Sequence, residues 1–154
     1  MKIGIILPSL ELNQLAFEIL TEVNDLILNT TEHDFVIFYQ ELTSRCVEPA
    51  CSIMNISEIH SFSGLLISTT LDTAELALKS ISISKKVFFV WDLEFIRNKN
   101  EYLKRLSIYR NPELFLVGRS VEYNRALEIF CNRKVNMTQQ RLNIKELVKC
   151  LKLI

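Results

Sequence analysis

Short apolar segments alternate with amphipathic helical patterns along the chain, and this alternation constrains the fold more than any other feature. Seven segments have the length and apolar content of buried strands. They are residues 2–7, 34–39, 51–56, 64–68, 86–91, 113–118 and 134–138. Apolar strands separated by helices are typical of a parallel sheet that is covered on both faces. The sequence therefore predicts an α/β protein with a mostly parallel sheet of about six or seven strands.

The intervening segments carry helical patterns with recognisable starts. Residues 10–28 place apolar side chains three and four positions apart, as one face of a helix requires. Capping-box-like pairs are Asp72 with Glu75, Asn98 with Glu101, and Asn143 with Glu146. Ser9 and Ser120 are further candidate caps, whereas residues 40–50 show no helical pattern. Right-handed crossovers through such helices give a doubly wound, Rossmann-like sandwich with helices on both faces.

Length and composition argue for one domain over residues 1–154 and against several other classes. A chain of 154 residues with 49% hydrophobic residues can bury a full core. It has no apolar run of the roughly 18 residues that a membrane span needs, and no signal-peptide pattern. We therefore expect a cytoplasmic protein. The four cysteines form no CxxC pair and the two histidines lie far apart, so we expect free thiols, no metal and no cofactor.

Charge is unevenly distributed, although the net charge is zero. Residues 1–96 carry a net charge of −8 and residues 97–154 a net charge of +8. We favour attraction between the two halves within one fold, but the asymmetry also fits a homo-oligomer or a protein partner. Nucleic-acid binding is the less favoured alternative. Its candidate residues near one helix are Arg97, Lys99, Lys104, Arg105 and Arg110, interleaved with Tyr102 and Tyr109.

Ligands of such a fold bind outside the carboxyl ends of the strands. This rule selects polar residues after five strands, namely Ser9, Glu11, Glu41, Arg45, Ser68, Thr69, Thr70, Asp92, Glu94, Arg97 and Arg119. The turn after the first strand, "PSLELNQ", lacks the glycines that let a backbone approach a pyrophosphate. Glu11, which we place in the first turn of the helix, adds negative charge there. Phosphate binding at this turn is therefore not favoured.

The stretch "VWDLEF" at residues 90–95 is the most suggestive local sequence. It places Asp92 and Glu94 just beyond an apolar strand, beside Trp91. Carboxylates at the rim of a crevice can act as general bases or bind sugar hydroxyls, and an aromatic ring can stack on a sugar. The alternative interpretation is structural: Asp92 caps the following turn, Trp91 packs under a helix and Glu94 is solvated.

Three stretches of the chain resemble GT-B glycosyltransferases of the glycogen-synthase-like type. They are "KIGIILPSLELNQLAFEIL", "GLLISTTLDTAELAL" followed by "KKVFFVWDLEF", and "PELFLVGRSVEYNRALEIF". The resemblance implies the N-terminal Rossmann-like domain of that two-domain family. "LNQLA" stands where the family has a glycine-rich loop, and the paired glutamates of its second domain are absent. Carried over by position, the resemblance implies crevice residues Ser9, Glu11, Ser68, Asp92, Glu94 and Ser120.

Two functions remain open at this point. The first is a glycosyltransferase-like domain that binds a sugar or sugar nucleotide and needs a partner for catalysis. Its expected catalytic residues are Asp92 and Glu94. Its expected ligand-binding residues are Ser9, Glu11, Ser68, Thr69, Arg119 and Ser120. The alternative is a non-catalytic interaction module that retains the fold without an active site.

Overall fold

A seven-stranded sheet, parallel at every paired edge, forms the centre of the domain. The structure is a computed structural model that describes residues 1–30, 32–41, 44–94 and 102–152. The strands are β1 (Lys2–Ser9), β2 (Asp34–Glu41), β3 (Ser52–Asn55), β4 (Leu65–Ser68), β5 (Lys85–Val90), β6 (Leu114–Gly118) and β7 (Met137–Thr138). Their order in the sheet is β3-β2-β1-β4-β5-β6-β7. The seven predicted strands and the Rossmann-like α/β fold are therefore confirmed, and the strand order reverses between β1 and β4.

Five α-helices within the described residues cover the two faces of this sheet. They are α1 (Gln14–Asn29), α2 (Leu71–Lys79), α3 (Tyr102–Arg110), α4 (Val121–Cys131) and α5 (Ile144–Lys152). Helices α1 and α5 pack on one face. Helices α2, α3 and α4 cover the other face, together with a 3-10 helix at Ile56–Ser61. Described residues 44–51, between β2 and β3, contain no helix, as the sequence predicts.

Strand β5 shows why the strands are apolar throughout rather than alternating. Val87 and Phe89 pack on the side of α1 and α5, whereas Phe88 and Val90 pack on the side of α2, α3 and α4. All four side chains are fully buried. Burial of each of these side chains stabilises the folded state by about 1.5–3 kcal/mol relative to exposure to water. A central strand with both faces covered therefore selects large apolar residues at every position.

Helix α1 begins later than predicted. Strand β1 extends to Ser9, which pairs with Glu41 of β2. Asn13 then caps α1, because its Oδ1 accepts a hydrogen bond from the Ala16 amide at 2.8 Å. The predictions that Ser9 caps this helix and that Glu11 lies in its first turn are wrong, since both residues precede the cap.

Helix α2 also uses a cap other than the predicted one. Thr70 has the extended backbone of a cap, and its side chain forms a capping box with Thr73. Asp72 already lies inside the helix, so its predicted pairing with Glu75 as a box is wrong. The predicted caps Ser120 and Asn143 are confirmed, because their side chains accept from the amides of Tyr123 and Glu146. The pair Asn98 and Glu101 lies outside the described residues.

Ion pairs join the acidic and basic halves of the sequence. Lys104 on α3 lies 3.4 Å from a Glu75 carboxylate oxygen on α2, and Arg141 lies 3.9 Å from Glu18 on α1. The two halves therefore meet within one fold. The four cysteines are free thiols, as predicted. Within the described ranges, no helix combines the length and the apolar character needed to cross a membrane.

Candidate functional site

A cleft of about 390 Å³ opens at the carboxyl ends of β4 and β5, and we call it the β4–β5 cleft. Its lining residues come from three segments of the chain. They are Thr69 and Thr70 from the turn before α2, Trp91, Asp92 and Glu94 from the segment after β5, and Arg105 from α3. The structure thus brings together five residues that the sequence analysis singled out, Thr69, Thr70, Trp91, Asp92 and Glu94, and adds Arg105.

Glu94 accepts a hydrogen bond at the start of α2. Its Oε1 accepts a hydrogen bond from the Leu71 amide at 3.1 Å, and the residue is only partly exposed. Burial raises the pKa of the Glu94 carboxyl, and the negative charges of Asp72 and Asp92 raise it further. The Leu71 amide and the Arg105 guanidinium oppose this rise in pKa. The alternative of a freely solvated Glu94 is therefore wrong, and the residue holds its proton more tightly than an ordinary glutamate.

Asp92 makes one hydrogen bond within its own segment and one contact with α3. The Asp92 side chain accepts from the Leu93 amide at 2.7 Å. Its backbone carbonyl lies 3.5 Å from the hydroxyl of Tyr109, which is fully buried in α3 and packs against Phe88. Burial and the charge of Glu94 raise the pKa of the Tyr109 hydroxyl, so this group remains a neutral donor. Tyr109 therefore anchors the segment that carries both carboxylates.

Trp91 lies beneath a cation. The guanidinium carbon of Arg119 is 3.7 Å from the centroid of the indole ring, a separation typical of a cation–π contact. Arg119 also donates to the Trp91 carbonyl at 3.4 Å. On the sheet side Trp91 contacts Phe89 and the core below α1 and α5. Arg119 therefore covers one face of the indole ring.

Two predicted ligand-binding residues donate their hydroxyl protons to carbonyls of neighbouring strands. Ser68 is fully buried, and its hydroxyl donates to the Val87 carbonyl at 2.9 Å. Ser68 therefore lies within the sheet and is not part of the cleft lining. The Thr69 hydroxyl donates to the Ile6 carbonyl of β1 at 2.8 Å. Thr69 lines the cleft, but its hydroxyl proton is used to join the turn to β1.

The other predicted residues lie apart from the β4–β5 cleft lining. Ser9 Oγ accepts from the Glu11 amide at 3.0 Å in the turn after β1, and Glu11 is exposed. Ser120 caps α4. Arg119 reaches the cleft only through its contact with Trp91, and Arg97 lies outside the described residues.

Arg105 lines the cleft, although the sequence pattern indicates it only as part of a basic surface. A helical period places Arg105 four positions before Tyr109, and therefore on the same side of α3. The contacts of α3 also weaken the nucleic-acid interpretation. Tyr109 is buried, and Arg110 donates to the carbonyls of Phe130 and Cys131. Tyr109 therefore has no face on which a base can stack.

Comparisons with known proteins found no matching family model, no similar curated protein and no similar solved structure. No group of three or more histidine, cysteine or acidic side chains suited to a metal ion occurs in the part of the chain that the structure describes. The interpretation of the site therefore depends on its own geometry.

Replacement of Glu94 by glutamine tests the electrostatics of the cleft. A carboxyl with a raised pKa stabilises the folded state below its unfolded pKa, and that contribution is lost as the pH rises through the folded pKa. Glutamine keeps an oxygen for the Leu71 amide but carries no charge. We expect Glu94→Gln to raise the melting temperature slightly at pH 7 and to leave it unchanged at pH 4. The measurement is thermal unfolding at both pH values.

Glu128→Gln provides the matched control, because Glu128 is exposed on α4. This control should melt like the wild type at both pH values. A melting temperature of Glu94→Gln below that of the wild type at pH 7 would show that the charged carboxylate stabilises the start of α2.

Proposed function

We propose that this chain binds a sugar or a sugar nucleotide in the β4–β5 cleft, as a glycosyltransferase-like domain. The observation that carries the proposal is the placement of Asp92 and Glu94 beside Trp91, with Arg105 lining the same cleft. Carboxylates accept hydrogen bonds from sugar hydroxyls, and a few convergent polar groups next to an aromatic side chain are typical of small-molecule sites. The resemblance to the N-terminal domain of GT-B glycosyltransferases supports the same ligand class.

Glu94 is the better candidate for proton transfer. A general base works best when its pKa lies near the operating pH, and burial moves the pKa of Glu94 in that direction. A carboxylate at this position can accept the proton of a sugar hydroxyl as the hydroxyl oxygen bonds to the anomeric carbon of a nucleotide sugar and the nucleoside diphosphate leaves. Asp92, on the same segment, would bind and orient the sugar. Because the resemblance covers one of two domains, transfer would require a donor-binding domain from a partner.

The single tryptophan of the chain makes the proposal directly testable. Because Trp91 lines the cleft, its fluorescence should change when a sugar or nucleotide sugar binds. Asp92→Asn should weaken that binding at least tenfold, since a hydrogen bond to a charged group contributes about 1.5–3 kcal/mol. The measurement is a fluorescence titration against a panel of monosaccharides and nucleotide sugars.

Asp34→Asn is the matched control for this titration. Asp34 is exposed at the amino end of β2, at the opposite edge of the sheet. The Asp34→Asn variant should bind the sugar with the affinity of the wild type. An affinity of Asp92→Asn equal to that of the control would remove the proposed site, provided that both variants melt like the wild type.

The second candidate is a protein-interaction module. Helix α4 exposes Val121 and Ile129, eight positions apart on one side, with 72% and 68% of their surfaces accessible. Exposed apolar side chains that share a helix face favour contact with another protein. A complete absence of fluorescence response across the ligand panel would contradict sugar binding and favour this alternative.

A further inference from the structure

We infer that the β4–β5 cleft binds an uncharged, hydroxyl-bearing sugar rather than a phosphate group. This inference rests on the proposed function and narrows its ligand class. It follows from three features of the cleft: the hydrogen bonds made at the start of α2, the turn after β1, and the charges of the lining residues.

The start of α2 is where a parallel α/β domain would normally bind an anion. Backbone amides at a helix amino terminus and the helix dipole attract phosphate. Here the amides of Thr69 and Thr70 donate to Thr73 Oγ1 at 3.2 and 3.0 Å. The Thr73 amide donates to Thr70 Oγ1, and the Leu71 amide donates to Glu94. The chain itself therefore supplies the acceptors that a phosphate would otherwise supply.

Glu94 is the decisive acceptor in this arrangement. Glu94 belongs to the segment after β5, but its carboxylate accepts a hydrogen bond from the amide of Leu71, the first residue of α2. An incoming phosphate would have to displace this carboxylate and then remain close to it. Both groups are anions, so their repulsion opposes such an exchange.

The turn after β1 does not offer a second phosphate-binding position. Its Glu11 amide donates to Ser9 Oγ, and Asn13 caps α1 through the Ala16 amide. No glycine occurs between β1 and α1, so the backbone there is not built for close approach of a pyrophosphate. The usual dinucleotide position is therefore unsuited to phosphate as well.

The charges around Glu94 act in the same direction. The charges of Asp72 on α2 and of Asp92 raise the pKa of the Glu94 carboxyl, and the charge of Arg105 on α3 lowers it. The lining of the cleft thus combines two carboxylates, those of Asp92 and Glu94, with the guanidinium of Arg105, and Asp72 adds a further negative charge near Glu94. Such a set offers acceptors for sugar hydroxyls and one strong donor, and it repels an additional anion.

The test compares each neutral sugar with its own phosphate. Trp91 fluorescence titrations of the wild type would use glucose, galactose, mannose and N-acetylglucosamine, each beside the corresponding 1-phosphate. We expect the preferred neutral sugar to bind at least tenfold more tightly than its 1-phosphate. Its affinity should change little between low and high salt, because an uncharged ligand is not screened.

Glu94→Gln links this discrimination to one residue. The variant keeps a hydrogen-bond acceptor for Leu71 but removes the negative charge. We expect the 1-phosphate to gain affinity relative to the neutral sugar, so that the ratio between them falls at least threefold. Glu128→Gln, an exposed substitution of the same kind on α4, should keep the wild-type ratio.

The possible failures can be told apart. A 1-phosphate that binds as tightly as the neutral sugar, or more tightly, overturns this inference and leaves sugar binding intact. An unchanged ratio in Glu94→Gln would overturn the role given to Glu94. If neither form of any sugar changes the fluorescence or the melting temperature, the proposed function fails, and this inference fails with it.

Discussion

Gly64→Ala should lower the free energy of unfolding by about 4 kcal/mol, which is a large fraction of the total stability of a domain. Gly64 has a φ angle of +149°, in a region that residues with a Cβ atom rarely adopt. An added Cβ would lie 2.5 Å from the Lys2 carbonyl oxygen of β1, a backbone atom of the central sheet. Backbone strain and overlap therefore act together at this position.

The surroundings of Gly64 leave little room for relief. Its carbonyl accepts hydrogen bonds from the Ser84 amide at 3.1 Å, the Lys85 amide at 3.3 Å and the Ser84 hydroxyl at 2.8 Å. Rotation of Gly64 away from Lys2 would break these hydrogen bonds at the start of β5. Separation of β4 from β1 would instead disrupt the ladder that begins with Ile3 and Leu65.

Gly4→Ala is the appropriate comparison for this variant. A Cβ at Gly4 would meet side-chain atoms only, at 2.9 Å from Leu66 and 3.0 Å from Phe38 and Phe62. Side chains can shift, so we expect a loss of about 1–3 kcal/mol from overpacking. Equilibrium denaturation in urea measures both losses. A loss at Gly64 no greater than that at Gly4 would contradict the strain argument.

The sheet could be predicted from the sequence because its strands obey a local rule. Strands such as β5 are apolar on both sides, and that pattern separates them from the amphipathic helices. The helix starts were harder to predict because neighbouring residues satisfy the same rule. Thr70 and Asp72 are both good caps by residue type, and only the length of β4 and the turn after it select Thr70. The same applies to Ser9 and Asn13, since the extension of β1 to Ser9 moves the start of α1.

The candidate site was predictable where it depends on strand ends, and not where it depends on helix packing. Asp92 and Glu94 follow β5 directly, so the carboxyl-end rule places them at the cleft. Ser68 and Thr69 satisfy the same rule, but their hydroxyls are consumed by strand carbonyls. Arg105 reaches the cleft through the packing of α3, which is a tertiary feature without a local signal. The position of α3 also depends on Arg133, which follows α4 in the sequence and donates to the Tyr109 carbonyl.

Arg133→Met should lower the free energy of unfolding by about 3 kcal/mol, or roughly 6–12 °C in melting temperature. The Arg133 guanidinium donates to the carbonyl of Tyr109 at 2.8 Å and to those of Asn111 and Leu114. It therefore joins the segment after α4 to the turn between α3 and β6. Methionine fills similar space but removes the donor from the Tyr109 and Leu114 carbonyls, which is the costly way to lose a hydrogen bond, whereas the Asn111 carbonyl keeps the Leu114 amide at 3.2 Å.

Thermal unfolding of three variants would test this role. Lys134→Met, an exposed substitution at the next position, should melt within about 1 °C of the wild type, as surface changes usually do. Arg133→Lys should recover little of the loss, because one ammonium group lacks the planar fork of donors that spans several acceptors. A melting temperature of Arg133→Met close to that of Lys134→Met would contradict the proposed role.

The effect of Arg133→Met should extend to the cleft through Tyr109. The Tyr109 carbonyl is held by Arg133, and its hydroxyl approaches the Asp92 carbonyl. A less ordered α3 would loosen the segment that bears Trp91, Asp92 and Glu94. We therefore expect the folded Arg133→Met variant to bind sugar more weakly as well, whereas Lys134→Met should bind like the wild type. Wild-type affinity in the folded Arg133→Met variant would show that the cleft does not depend on this end of α3.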